Sequence, residues 1–402
     1  DEERYIIVNA DGSLENLTNA TFTRSNGNKS AEFTNLSSTA GPCLVITTQI
    51  KSSVTNKFKK LNRCSNITIT KTKYSTPPNA GLAVTSVYGT RVEDKEICLN
   101  YPDILEVHGI FESTDNTSPT PPWISLTGIQ SPNGVTSDLT LGEVLIGQTS
   151  GAVAIYAQNK TTAQIYIIYK NNKVFSPSET VLFKESEYSA TISTVNVGST
   201  NITSDFTLDN GQRSQFYDFG RIVRKNSSKE PSHRITVYFD RFTFESTDDG
   251  DVITVNSYPS SISKNKVAVF NNIRNLDVID IRPRVSNYTV AENSRSPLEF
   301  YGRSFNASGN SAANVLASDE SIIIDYTFYL GRIDRIYLTK EGKFQIQYGD
   351  PSEKPEKPVS VDNALEIAYV TLPPYLYDVS QASISFLENK RYRMSDIKQL
   401  ED

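Results

Sequence analysis

The chain has 402 residues, more than one ordinary β-domain needs at roughly 100–200 residues per domain, so about two to four domains are expected. Its 40 basic and 46 acidic residues give a formal net charge of -6. No block of like charges stands out, which disfavours a general nucleic-acid or membrane-surface binder. No apolar run reaches the roughly 18 residues of a bilayer-spanning helix, so no membrane insertion is expected.

The residues favour strands and turns. Tyr (21) and Phe (18), with Val, Ile and Thr, suit a pleated half-buried surface, while Asn, Ser, Asp and Gly supply turns. The chain opens Asp1-Glu2-Glu3-Arg4 without an initiator Met or an apolar leader, which reads as a cut precursor or a fragment. Cys43, Cys64 and Cys98 are odd in number and lack C-x-x-C spacing. Neither a zinc site nor a complete disulfide set follows, and free buried thiols are expected.

In chain order, residues 1–105 alternate short apolar runs with polar turns: Tyr5-Ile6-Ile7-Val8, Cys43-Leu44-Val45-Ile46, Ile67-Thr68-Ile69-Thr70 and Leu82-Ala83-Val84-Thr85. This spacing predicts a small sandwich. A second unit, 106–198, follows Tyr101-Pro102-Asp103 and carries the stiff stretch Ser118-Pro119-Thr120-Pro121-Pro122. Its runs at Glu143–Ile146, Ala152–Tyr156, Ile165–Tyr169 and Val181–Phe183 predict a small barrel or meander.

A third unit, 199–402, continues through Arg234–Phe239, Val252–Val255 and Asp277–Ile281. Tyr337-Leu338 and Phe344-Gln345-Ile346 flank Lys340-Glu341-Gly342-Lys343, a hairpin loop with Gly where positive φ is needed. At the C-terminus Tyr392, Ile397 and Leu400, with Met394 beside them, approach helical spacing, and Ser395 could cap the start. Two turns are marginal alone, so the helix is expected to continue and to pair with a partner, or to dock back on the last β-domain. The expected fold is therefore mainly β: several small sandwich- or barrel-like domains in tandem, with a short C-terminal helix.

Catalytic signals are sparse. The chain has two histidines, His108 in a strand-like run and His233 in a polar loop, and neither a Gly-x-Ser-x-Gly elbow nor a phosphate-cradling loop. Asp240 and Glu245 are the carboxylates a glycosidase could use. The turn Asp248-Asp249-Gly250-Asp251 could hold Ca²⁺, but it lacks the ligand spacing of an EF-hand, and Asp-Gly between strand-like runs is first a turn signal. The sequons at Asn16, Asn66, Asn201 and Asn287 would suit a secreted glycoprotein, yet a chain rich in Asn, Ser and Thr produces them by chance. No catalytic residue, metal or cofactor is assigned.

Four stretches, in order, carry a resemblance. They are Gly89–Ile97 with Asp103–Ser113; Leu141–Gly147 leading into Thr149–Ala152, with Phe175 and Glu179; Asp209–Arg213 with Phe216–Ile222, Gly250-Asp251 and Asn256–Tyr258; and Gly331–Leu338 with Gly349–Ser352 and Arg391–Ile397. Together they resemble long virion structural proteins of contractile-tailed bacteriophages, notably cyanophages. Two departures stand out: Ser178 replaces an expected Gly before Glu179, and residues 1–88 carry no resemblance, which begins at about Gly89.

The resemblance implies a non-catalytic tail or baseplate scaffold in the virion, assembled in the host cytoplasm beside other tail proteins, with self-association through the C-terminal helix. A receptor-binding adhesin for host glycans and a glycan-degrading tail enzyme are the alternatives. Tyr392, Met394, Ile397 and Leu400, with Arg221, Arg332 and Arg335, are the expected partner contacts. Arg213, Asp218, Arg221, Arg332, Asp334 and Arg335 could equally form Arg–carboxylate pairs within a domain.

Overall fold

The computed structural model describes residues 5–25, 30–37, 41–47, 53–70, 72, 88–89, 91–115, 117–245, 250–288, 298, 303, 305, 323, 325 and 327–388. The chain is mainly β: among the described residues 46% lie in strands and no helix reaches seven residues. It divides into two compact units, Asp1–Val54 with Leu316–Ile324 and Thr55–Val315 with Asp325–Asp402.

In the first unit, β1 (Tyr5–Asn9) pairs antiparallel with β4 (Cys43–Thr47), and β2 (Thr21–Ser25) with β3 (Ser30–Thr34). The rings of Tyr5, Phe22 and Phe33 meet at centroid separations of 4.9, 5.0 and 5.1 Å, a small aromatic core for two short ribbons. Cys43 on β4 is exposed, unlike the buried Cys64 and Cys98, which corrects the expectation that all three thiols are buried.

The centre of the second unit is a sandwich. One sheet runs β15 (Thr200–Asn201), β8 (Ile104–Glu112), β18 (Ile235–Phe244) and β5 (Lys59–Ile69); the other runs β16 (Phe206–Asp209), β17 (Phe219–Arg224), β7 (Glu96–Pro102) and β6 (Tyr88–Gly89). Ile97, Leu99, Ile110, Ile222, Val237 and Phe239 from both sheets share one core. The chain changes sheets at Asp103, whose φ of 58° makes the sharp corner between β7 and β8. The expected boundary at Tyr101-Pro102-Asp103 is thus a corner inside one domain.

Between β8 and β15 lies a closed antiparallel barrel, in the order β10 (Val144–Gly147), β11 (Val153–Thr161), β12 (Gln164–Tyr169), β9 (Trp123–Thr127), β14 (Ser189–Asn196), β13 (Thr180–Phe183). The run Ile165-Tyr166-Ile167-Ile168 explains its placement. Ile165 and Ile167 point into the barrel core, while Ile168 points outward into a second cluster with Phe111 and Tyr238 of the sandwich. Because the barrel's outer wall packs on the sandwich, this strand is apolar on both faces. Strand pairing therefore crosses the expected divisions at 105 and 198: β5 and β8 precede the barrel, and their partner β18 follows it.

Residues 250–288 close one end of the sandwich with little regular structure. Ile253 and Asp280 form a single bridge, and short turns carry Tyr258, Ile262 and Val267 into a core with Phe242 and Phe244. The two strands expected at Val252–Val255 and Asp277–Ile281 are thus corrected to isolated bridges and a 3-10 turn. A short ribbon, β19 (Val269–Phe270) with β20 (Ile273–Arg274), sits between them. The last sheet runs β22 (Phe344–Gln347), β21 (Arg332–Thr339), β23 (Ala364–Leu372) and β24 (Ser383–Phe386). Its β21–β22 hairpin turns at Gly342, φ 75°, as expected. The runs Leu82–Thr85 and Tyr392–Leu400, the second being the expected C-terminal helix, lie outside the described residues.

Candidate functional site

Three chemically capable side chains meet on the sandwich sheet that faces the barrel. Strand β18 lies between β5 and β8, and both neighbours slip register at the same level. Phe239 faces Ser65 while Arg241 faces Asn62, so β5 has one residue too many opposite Asp240. On the other side Tyr238 faces Gly109 and Phe239 faces Val107, leaving His108 as an inserted residue. Bulges re-aim side chains, and here both insertions turn toward Asp240. Cys64 adopts φ 47°, a conformation that L residues rarely take.

Asp240 Oδ1 accepts the Cys64 backbone N–H at 2.7 Å and lies 2.8 Å from His108 Nε2. The thiol sulfur, an imidazole nitrogen and a carboxylate oxygen all lie within 4.8 Å of one another. On the far side of the ring, Lys170 Nζ stands 3.0 Å from His108 Nδ1. Glu106 completes the group, 3.8 Å from Nδ1, 3.5 Å from Lys170 and 2.6 Å from Lys266. These contacts place Nε2 to donate to Asp240 and Nδ1 to accept from the Lys170 ammonium.

The electrostatics follow from burial and neighbours. Burial, and then the Asp240 charge, push the Cys64 thiol up to about 12. Burial also pushes the Asp240 carboxyl up, but the His108 hydrogen bond and the Cys64 N–H outweigh it and hold it below the ordinary range. A Cys-His-acid trio invites comparison with a nucleophilic triad. The imidazole, however, is engaged by Asp240 and Lys170, and the thiol stays protonated, so the sulfur is not activated for attack.

The expected glycosidase pair does not converge. Glu245 follows five positions after Asp240, on the opposite face by strand alternation and roughly 16 Å further along. Its carboxylate is 64% exposed, 3.6 Å from Lys60. Of the acidic turn, Asp248 and Asp249 lie outside the described residues, and Asp251 accepts the Thr55 backbone N–H at 3.0 Å. His233 is a loop residue 3.1 Å from the Ser232 hydroxyl. Lys160 Nζ sits 3.4 Å from the ring centre of Trp123, covering the face a sugar would need.

The motif residues act as ties within the chain. Glu179 accepts from the Ser150 N–H (3.0 Å), the Ser150 hydroxyl (3.0 Å) and the Thr149 N–H (3.3 Å), fastening two barrel loops together. Glu143 does the same for Thr140 and Ser186. Asp218 takes both arms of Arg303 at 2.7 and 2.8 Å and Arg221 at 2.8 Å. Arg221 also reaches Glu96 at 2.9 Å, and Arg213 grips Asp209 at 2.7 Å. Arg335 is buried against Glu366 at 2.9 Å. Arg332 differs: it pairs with Asp334 at 3.0 Å while lying over the ring of the exposed Tyr348, at the margin of an apolar surface.

That surface is one face of the last sheet. The register aligns Ile336 with Ile346, Ala368 and Phe386, and Leu338 with Phe344 and Leu365; Val370 faces Ile384. All of these side chains therefore share a face with Asp334 and Arg332. Phe344, Ile346, Leu365, Ile384 and Phe386 are 70%, 54%, 47%, 55% and 75% exposed. At roughly 150–250 Å² per large side chain, the exposed apolar area is on the order of 600 Å², at the top of the range for the largest patch on a typical monomer. The other expected contacts, Tyr392, Met394, Ile397 and Leu400, lie outside the described residues.

Residues 285–402, which include this sheet, match a family model described as a domain of unknown function, DUF4815. No curated protein and no solved structure matches the chain. No helix among the described residues is long and apolar enough to cross a membrane.

Proposed function

We propose that this chain is a non-catalytic structural protein of a tailed-phage particle, a tail or baseplate scaffold component that positions neighbouring subunits. The observation that carries the reading is the apolar face of the β21–β24 sheet. Its exposed Phe344, Ile346, Leu365, Ile384 and Phe386 form one surface with Arg332, paired to the buried Asp334, at its margin. An apolar centre with a charged margin is the anatomy of a protein interface. The occupant would be a neighbouring virion subunit presenting a complementary apolar surface.

The ion-pair ties support the same reading, because they fix loops and strands against one another and leave the charged motif residues little role in catalysis. The sequence resemblance supplies the virion setting. The experiment is incorporation: wild-type chain and the double variant Phe344→Ser/Phe386→Ser are each supplied to a deletion phage and purified particles are assayed for the chain. The wild type should be incorporated and the variant lost from particles while remaining folded. Equal incorporation of both would contradict docking through this face.

A further inference from the structure

We propose that Cys64, His108 and Asp240 form a binding site for a divalent cation of the Zn²⁺ class. The donor set is sulfur, nitrogen and oxygen, the combination that suits Zn²⁺ and Co²⁺ rather than the hard Ca²⁺ or Mg²⁺. The three atoms already lie within 4.8 Å of one another, brought there by separate strands. The backbone places the donors: two bulges open onto Asp240, and Cys64, inside one of them, is held at φ 47°.

The surroundings are complete. Cys64 is 3% exposed and the His108 and Asp240 side chains are 4% and 13% exposed, so the three donors are buried, with Lys170 and Glu106 on the far side of the ring. Glu106, anchored by Lys266, stands where it can accept a proton from Nδ1, the usual orienting partner of a metal-bound histidine. Lys170 would then move from Nδ1 to Glu106, already 3.5 Å away.

The proton balance closes. Binding releases the thiol proton to solvent, and the imidazole proton passes from Nε2 to Nδ1, so one proton leaves per ion bound. The 2+ cation, the thiolate and the carboxylate sum to zero, which avoids burying net charge.

The test uses the full chain carrying Cys43→Ser, which removes the exposed thiol. After chelation and dialysis it is titrated with Co²⁺. One equivalent should bind with a thiolate-to-cobalt charge-transfer band, Zn²⁺ should abolish the band, and Zn²⁺ should slow alkylation of Cys64 at least tenfold. Adding Cys64→Ser should remove the band, with near-ultraviolet circular dichroism confirming the fold. Should that variant fail to fold, protection of Cys64 in the parent chain decides. Absence of the band in the folded parent, an equal band after Cys64→Ser, or alkylation indifferent to Zn²⁺ would overturn the proposal.

Discussion

At the scale of single residues, the sequence marked positions whose chemistry only the structure explains. Ser178 stands where a Gly was expected, and its φ of 67° is the left-handed conformation that glycine adopts freely. Ser178→Gly should therefore raise stability by about 0.5–1 kcal/mol, measured by denaturant titration; a loss of stability would contradict this account of the turn. Asp280 is a second case. Burial pushes its carboxyl up, but the Arg282 guanidinium and the Tyr217 hydroxyl hold it below the ordinary range. A folded-state value below the unfolded one means the stabilisation is complete above about pH 4 and is lost as pH falls through the depressed value. Asp280→Asn should cost about 3 kcal/mol at pH 7 and flatten the acid limb of the stability curve, read from unfolding midpoints between pH 7 and 2. Cys64, His108 and Asp240 were each visible in the sequence, but no local spacing links them; long-range strand pairing brings them together.

At the scale of elements, strands with strong apolar runs were legible and the quieter ones were not. Tyr5–Val8, Cys43–Ile46 and Ile165–Tyr169 coincide with β1, β4 and β12, and the Gly342 hairpin falls where the turn chemistry put it. Val252–Val255 and Asp277–Ile281 have strand composition but no strand to extend along, so they form only isolated bridges, Ile253 with Asp280 and Val252 with Asn56. Gly109 shows how elements constrain one another. It lies opposite Tyr238 where the barrel meets the sheet, and an added Cβ would fall 2.8 Å from the Phe111 ring and 3.1 Å from Ile168. Gly109→Ala should destabilise the protein by about 1–3 kcal/mol and raise protease sensitivity near the barrel connections at 113–122 and 197–199. Unchanged stability would mean that the junction yields more easily than its packing indicates.

At the scale of the whole molecule, local patterns gave the β class and a small barrel but not the connectivity. A sequence pass reads units one after another, whereas β5 at Lys59–Ile69 pairs with β18 at Ile235–Phe244 across the inserted barrel. Nothing in the intervening residues announces such a return. The apolar face of the last sheet was half legible: Phe344 and Ile346 belonged to a recognised hairpin, but their shared face with Ile384 and Phe386 depends on the register of four strands. Since exposed side chains contribute little to folding, Phe344→Ser/Phe386→Ser should change stability by less than about 0.5 kcal/mol per site while reducing binding to particles that lack the chain, as seen by co-sedimentation. A large stability loss would place these side chains in the fold instead of an interface.

The most direct measurement is a density map of the purified phage particle with this chain traced in it. The account predicts the chain in the tail, with Phe344, Ile346 and Phe386 buried against a neighbouring subunit. Particles that lack the polypeptide, or a traced chain whose β21–β24 face is bare to solvent, would contradict it.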